Sequence, residues 1–465
     1  MEKAELEKIF NSAKAEFLAV CGRRRVGKTF LIKEYFEKEL VFSVSGLAKA
    51  NTQKQIKNFY STLKLYDSSL TEKPNDWLDA FNLLIKYLTS LSQERKVILL
   101  DELPWMDTPK SGFISALEHF WNGWASSRRD IVLIVCGSAT SWMMDSLINN
   151  HGGLHNRLTR QMFLEPFTLN ETEQMLESLG FNLSRYEIAE YYMILGGIPY
   201  YMTLLNPDES VAQNIDRLIF KRNGELKNEF DNLYAALFRN SESYIKVASI
   251  LNSKRSGLTR NEIKEEAKLP SGGTLTKILK NMESCGFIRK FNSLSLGKTQ
   301  TLYQLVDFFS LFYFRFIQHE TGNKTNYWSA IQGTQKFYAW AGLAFENVAL
   351  YHISQIKQAL GISGIDSEEY TWRKDSNETD GAQIDLLIDR KDNTINLCEM
   401  KFCESVYELK ADEEMKLRNR ISALRSSLKK KTKSIQLTMI TSFGVAKGKH
   451  SGIVQSQVAL DDLFA

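Results

Sequence analysis

Residues 17–29 read Phe-Leu-Ala-Val-Cys-Gly-Arg-Arg-Arg-Val-Gly-Lys-Thr, and a helix-forming segment, 30–40, follows. An apolar strand that turns through Gly-x-x-x-x-Gly-Lys-Thr into a helix is the order a phosphate-binding loop requires. Gly22 and Gly27 let the backbone turn tightly and aim its N–H groups at phosphate oxygens. The start of the following helix adds a partial positive charge. In that arrangement Lys28 reaches the β- and γ-phosphates and Thr29 holds Mg²⁺ through its hydroxyl. Arg23, Arg24, Arg25 and Val26 inside the loop, with Phe30 just after it, complete the expected nucleotide-binding set. A chance glycine-rich turn would not bring strand, spacing and helix into agreement.

The second element of such a site is 96–102, Lys-Val-Ile-Leu-Leu-Asp-Glu. Its apolar run predicts a buried strand of a parallel sheet with two carboxylates at its carboxyl end, where open α/β sheets bind ligands. Asp101 is expected on the Mg²⁺ side, and Glu102 is expected as the base or orienter of an attacking water. A third strand, 131–137, ends at Ser138. This serine is placed either to sense a γ-phosphate or simply to cap a helix. Residues 41–46 predict a further strand.

The motifs Gly-Arg-Arg-Arg-Val-Gly-Lys-Thr, Leu-Leu-Asp-Glu, Cys-Gly-Ser and Gly-Gly-Ile-Pro-Tyr-Tyr (196–201) together resemble those of the archaeal-type ATPases. These are AAA+-related members of the signal-transducing ATPases with numerous domains (STAND). The resemblance implies ATP and Mg²⁺ as cofactors, hydrolysis as the reaction, and Pro199 against the adenine from a helical lid. A helix simply broken by Gly-Gly and Pro is compatible with the same residues. Arg157 and Arg160 stand where an arginine finger or sensor would be, or are solvated surface cations. Arg128 and Arg129 are weaker candidates.

Residues 243–305 predict three helices and a hairpin, a winged helix. Thr259 caps the second helix, and 274–285 form a third, with Leu275, Ile278, Leu279 and Met282 on one face. Ser271, Thr274, Thr276, Lys277, Lys280 and Asn281 are expected toward solvent. There they would contact DNA phosphates and bases, unless the module only packs within the protein. The aromatic run 305–317 reads as a core helix.

In the last third, 382–389 and 395–402 predict two strands around a polar turn, with Glu399 and Lys401 on one face and Asp385 near Glu399. Residues 341–346 were expected to open a helix that adds Glu346. The pattern resembles the Asp…Glu-x-Lys site of restriction-endonuclease-like nucleases, although the usual proline before the first Asp is absent. The resemblance implies Asp385 and Glu399 as metal ligands, Glu346 as an accessory ligand, Lys401 as catalytic and Gln383 as an orienter of the metal's water. Edge-strand charges, or a nuclease shape without turnover, are the alternatives. The basic stretches 416–420 and 425–433 offer a duplex backbone a surface, or are solvated helix ends.

A chain of 465 residues is long enough for about three or four domains. The expected class is α/β: a P-loop NTPase parallel sheet (1–165) with a helical lid (166–238), a winged helix domain (239–318) and a C-terminal α/β nuclease-like domain (319–465). With 59 Lys and Arg against 55 Asp and Glu, the net charge of +4 gives no general attraction to a polyanion, so DNA as a partner rests on the local patches. The scattered Cys21, Cys136, Cys285, Cys398 and Cys403 read as free thiols of a reducing, cytoplasmic protein. No apolar h-region and no apolar run of membrane-spanning length is visible, so no membrane partner is expected. The resemblance leaves a homo-oligomer or a protein partner open. The expected function is an ATP-hydrolysing switch coupled to a DNA-binding module, with DNA cleavage by that module left open. The alternative is a slow or inactive ATPase acting as a scaffold or sensor.

Overall fold

The structure, a computed structural model, describes residues 2–138, 142–148, 156–238, 240–254, 256–269, 273–295, 298–320, 326–373, 383–428 and 432–465. Ser271, Ala382 and Lys429, Lys430 and Lys431, all named above, lie outside them. The chain divides into two compact units, Met1–Glu165 and Pro166–Ala465.

The first unit holds a five-stranded sheet of β1 (Glu16–Gly22), β2 (Leu40–Ser45), β3 (Lys96–Asp101), β4 (Ile131–Gly137) and β5 (Arg160–Leu164). Its order is β2-β3-β4-β1-β5, and every pairing is parallel. Strands buried on both faces read as unbroken apolar runs, which is why 17–21, 97–100 and 131–136 carry no polar alternation. The two faces separate cleanly in β1. Phe17, Ala19 and Cys21 join one core with Phe59, Phe81 and Phe120 from the helices Thr52–Tyr66, Trp77–Ser90 and Phe113–Gly123. Leu18 and Val20 join the other core with Leu6 and Ile9 of Glu2–Phe10 and Ile32 of Lys28–Tyr35. The helix after the phosphate loop ends at Tyr35, short of the expected 40, because Leu40 already belongs to β2.

In the second unit, the helices Leu169–Ser178 and Arg185–Leu195 start from Thr168 and Ser184, each closed by a reciprocal capping box with Glu171 and Glu187. The helix Arg185–Leu195 ends at Gly196 in the left-handed region (φ 70°). Gly197 (φ 63°) has a different reason to be glycine: a Cβ there would lie 2.2 Å from the Phe167 carbonyl oxygen. Pro199 then opens the short helix Pro199–Met202. The Gly-Gly-Ile-Pro string is thus a stop, a close backbone approach and a new start.

Farther along, the helices Ser241–Ser253, Arg260–Ala267 and Gly273–Ser284 precede a hairpin of β6 (Ile288–Ser295) and β7 (Lys298–Leu305). Leu258 bridges to Tyr303 of β7. The aromatic run forms Phe308–Phe312 and a π-helical turn, Tyr313–Ile317. Its Phe312 and Phe316 pack against Trp328 and Trp340 as core. The last strands are β8 (Ser367–Arg373), β9 (Gln383–Arg390), β10 (Thr394–Lys401), β11 (Ser434–Thr441) and β12 (Ser456–Ala459). They form one sheet with the hairpin, ordered β12-β11-β10-β9-β8-β6-β7. The hairpin joins through parallel pairs Ser293–Thr371 and Leu294–Trp372, so hydrogen bonds cross the boundary expected between 318 and 319.

Candidate functional site

The carboxyl ends of β1, β3 and β4 converge in the first unit. At the end of β1, Gly22 has φ 152°, and a Cβ on it would meet the Leu164 carbonyl oxygen of β5 at 2.4 Å. Glycine is therefore demanded there by the neighbouring strand as well as by the turn. Gly27 (φ 90°) is the N-cap of Lys28–Tyr35, no side chain caps that helix, and the space where its Cβ would stand is open. An uncapped helix start with an open approach suits a phosphate.

Lys28 is buried and donates to the carbonyl oxygens of Gly22 (3.0 Å) and Arg23 (2.7 Å). Burial lowers its pKa, against the opposing pull of Glu102 and Asp101. Thr29 Oγ1 donates to Asp101 Oδ2 at 2.9 Å, which places the expected Mg²⁺-binding hydroxyl and carboxylate side by side. A hydroxyl and a carboxylate below a phosphate cradle are a hard oxygen donor set, and they fit Mg²⁺.

Ser138 Oγ donates to both oxygens of Glu102, at 3.0 and 2.8 Å. Glu102 itself is left-handed (φ 48°, ψ 48°), and its carbonyl oxygen would lie 2.7 Å from a Cβ on Gly46. A non-glycine residue held in that region at the end of a sheet is a local strain of the kind found at reactive sites. The Ser138–Glu102 pairing and the Gly46 approach were not legible from spacing. Burial pushes Cys21 up to about 12 and Cys136 well above its usual value, so both stay neutral thiols beneath the loop.

Val26 is buried, Arg24 and Arg25 are partly exposed, and Phe30 is 71% exposed. Arg25 adopts φ 72°. Arg157 is exposed on the turn before β5. Arg160 is paired with Glu5 at 3.1 Å, and Arg128 is held by Asp130 and lies over Trp124 at 4.6 Å. Both have local structural partners. Pro199 belongs to the second unit, where it starts its short helix.

Residues 1–205 match the family described as an ATPase domain predominantly from Archaea. This stretch of the chain is an ATPase domain. Over 318 residues the ATPase is 24% identical to an uncharacterised protein of Methanocaldococcus jannaschii, covering 68% of this chain and 67% of that one. Among solved structures it is similar to the Walker-type ATPase PABY2304 of Pyrococcus abyssi (18% identity, 68% of this chain and 94% of that chain, TM-score 0.47). It is also similar to the ORC2 protein of Aeropyrum pernix (14% identity, 72% and 94%, TM-score 0.44).

The second unit of the ATPase carries the other expected constellation. Continuing the Leu386–Cys398 register by one pair sets Asp385 opposite Glu399, and Glu399 and Lys401 share a face as alternation requires. Glu346 lies in the middle of the helix Gln335–Tyr351, and the expectation that 341–346 open a helix is corrected: Thr334 caps it seven residues earlier than Ala341. Glu346, Gln383 and Asp385 line one cleft with Arg289 and Gln304 of the hairpin. Burial raises the pKa of Asp385, and Gln383 Nε2 donates to it at 2.7 Å.

The expected metal ligands have cationic neighbours in this arrangement. Among the described residues, no group of three or more His, Cys, Asp or Glu side chains is placed to hold a metal ion. Glu399 instead contacts Lys401 Nζ at 3.0 Å and Arg420 Nη1 at 2.5 Å. A carboxylate already engaged by two protein cations offers a divalent ion less negative charge. The helix Ala411–Ser427, which carries the basic stretch 416–420, is likewise internally compensated. Arg418 pairs with Glu414 and Lys416 with Asp412, each one turn away. Asn281, expected toward solvent, is buried and donates to Tyr244 Oη at 2.7 Å, while Thr274, Thr276, Lys277 and Lys280 are exposed. No helix among the described residues is long and apolar enough to cross a membrane.

Proposed function

We propose that ATP hydrolysis at Lys28, Thr29, Asp101 and Glu102 drives a switch that alters how the second unit engages DNA. The observation that carries this reading is the joint placement of Thr29 on Asp101 and Ser138 on Glu102 at one end of the sheet. The Gly22–Thr29 loop binds the triphosphate through backbone N–H groups and the helix start. Lys28 turns from the Gly22 and Arg23 carbonyls toward the β- and γ-phosphates. Glu102, held by Ser138, orients the attacking water and receives its proton. Thr29 and Asp101 would hold Mg²⁺, which would supply charge neutralisation on the phosphates. Arg157 is an arginine sensor.

The three helices and hairpin of 241–305 act as a winged helix, and Thr274, Thr276, Lys277 and Lys280 contact the duplex. Such a switch requires nucleotide to favour one arrangement of the chain over another. Lys28→Ala, assayed by phosphate release, is expected to lower turnover by roughly a hundredfold or more. Wild-type turnover in that variant would remove the site.

The engagement of Glu399 by Lys401 and Arg420 favours a second reading of the C-terminal module: a nuclease-like shape that recruits a partner and does not cleave. Incubation of the protein with plasmid and Mg²⁺ or Mn²⁺ separates the two. Nicked plasmid that is lost in Asp385→Ala supports cleavage. Intact plasmid with no electrophoretic shift at low salt supports the scaffold.

A further inference from the structure

Arg289 of β6 reaches the cleft that holds Glu346, Gln383 and Asp385. Its orientation is fixed twice. Nε donates to Gln304 Oε1 at 2.7 Å, and the guanidinium lies 4.8 Å from the centre of the Phe291 ring. Burial lowers its pKa to about 10, against the opposing pull of Asp385 and Glu346, which line the same cleft. Asp385 is also influenced by Arg420, the residue bound to Glu399. Arg420 and Lys401 both pair with Glu399, which leaves Arg289 as the cation that lines the cleft beside Glu346 and Asp385.

We propose that Arg289 is the built-in counter-cation of this cleft, and that it keeps a divalent metal out while the hairpin stays paired to β8. The proposal rests on reading the cleft as a nuclease-like site. A dication entering beside a fixed guanidinium meets like charge in a partly desolvated place, so metal affinity depends on whether Arg289 is present. The device can be released because of where the arginine sits. The hairpin holds itself together by eight paired positions and, among the described residues, joins the sheet through two, Ser293–Thr371 and Leu294–Trp372. Separation at that short ladder withdraws Arg289 with its hairpin and leaves the cleft with an excess negative charge. The position of the hairpin then decides whether the cleft accepts metal.

The test is Mn²⁺ titration of the nucleotide-free full chain, read by loss of the free-ion paramagnetic resonance signal. Arg289→Met is expected to gain Mn²⁺ affinity of about tenfold over wild type, a gain abolished in Arg289→Met/Asp385→Asn and absent in Arg289→Lys. Should Arg289→Met fail to fold, as judged by its thermal transition, Arg289→Gln removes the charge while keeping a polar group toward Gln304, and the same gain is expected. Equal uptake by wild type and the charge-removed variant overturns the proposal. So does wild-type uptake that already falls in Asp385→Asn alone. Plasmid nicking reports separately on the underlying reading. Asp385-dependent Mn²⁺ uptake by Arg289→Met with plasmid left intact supports the counter-cation and removes the nuclease.

Discussion

The two acidic sites of this chain handle their carboxylates in opposite ways. At the end of the parallel sheet, Asp101 and Glu102 are held by neutral hydroxyls, Thr29 and Ser138, while Lys28 spends its hydrogen bonds on loop carbonyls. In the mixed sheet, Glu399 is held by two cations, and Asp385 lies within the field of Arg289 and Arg420. Hydroxyl donors fix a carboxylate in place without pairing it to a cation, and Lys28, whose charge both carboxylates favour, acts on them from its place on the loop carbonyls. Cationic partners fix and neutralise at once, so the second is electrostatically complete on its own. Carboxylates at a strand end are thus a poor guide to metal binding until their partners are known.

Several substitutions would break or sharpen this contrast. The largest effect is expected for Glu102→Gln. It keeps the shape and the Ser138 contact but cannot accept a proton. Turnover should fall about a hundredfold with ATP binding retained, as measured by phosphate release beside calorimetry. Ser138→Ala tests whether the hydroxyl matters to the carboxylate it holds. A loss of about tenfold in turnover is expected, with nucleotide affinity unchanged. Unchanged turnover would reduce Ser138 to a bystander.

Glu190 supplies a third way of treating a carboxylate, by burial. It is 5% exposed, receives a hydrogen bond from Gln332 at 3.1 Å, and burial raises its pKa from 4.5 to about 7. The folded state therefore favours the proton. The stabilisation is complete below about pH 4.5 and is lost as pH rises through about 7. Glu190→Gln should flatten that slope by about 2–3 kcal/mol in denaturant unfolding across the window. The smallest effect is expected for Arg420→Ala. Its partly exposed pair with Glu399 is discounted for solvent, to a loss of about 1 kcal/mol in the same experiment. If stability does not change at all, the pairing is incidental and the contrast weakens.

Much of the first unit was legible because its signals are local. An apolar run bounded by Gly22 and the Gly27-Lys28-Thr29 string fixes strand, turn and helix within a few residues, and Lys96–Asp101 announces a buried strand in the same way. The strands β9 and β10 around their polar turn, and the shared face of Glu399 and Lys401, follow from alternation alone. The extent of the helix carrying Glu346 was not legible because a helix start depends on its cap, here Thr334, seven residues before Ala341. Asn281 was misplaced because a polar residue on a mostly polar turn reads as exposed until Tyr244 is found waiting for it.

By itself, then, the sequence determined the phosphate loop, the carboxylates at the end of β3, the parallel character of the first sheet and the pairing of β9 with β10. All of these follow from short-range periodicity and from residues that only certain backbone conformations accept. Only the tertiary structure decided which partner each carboxylate received: Ser138 for Glu102, Arg420 for Glu399, and Arg289 in the cleft of Asp385. The physical reason is that charge compensation depends on distance in space. Residues 289 and 385 are brought to one cleft by a seven-stranded sheet whose order no local pattern encodes.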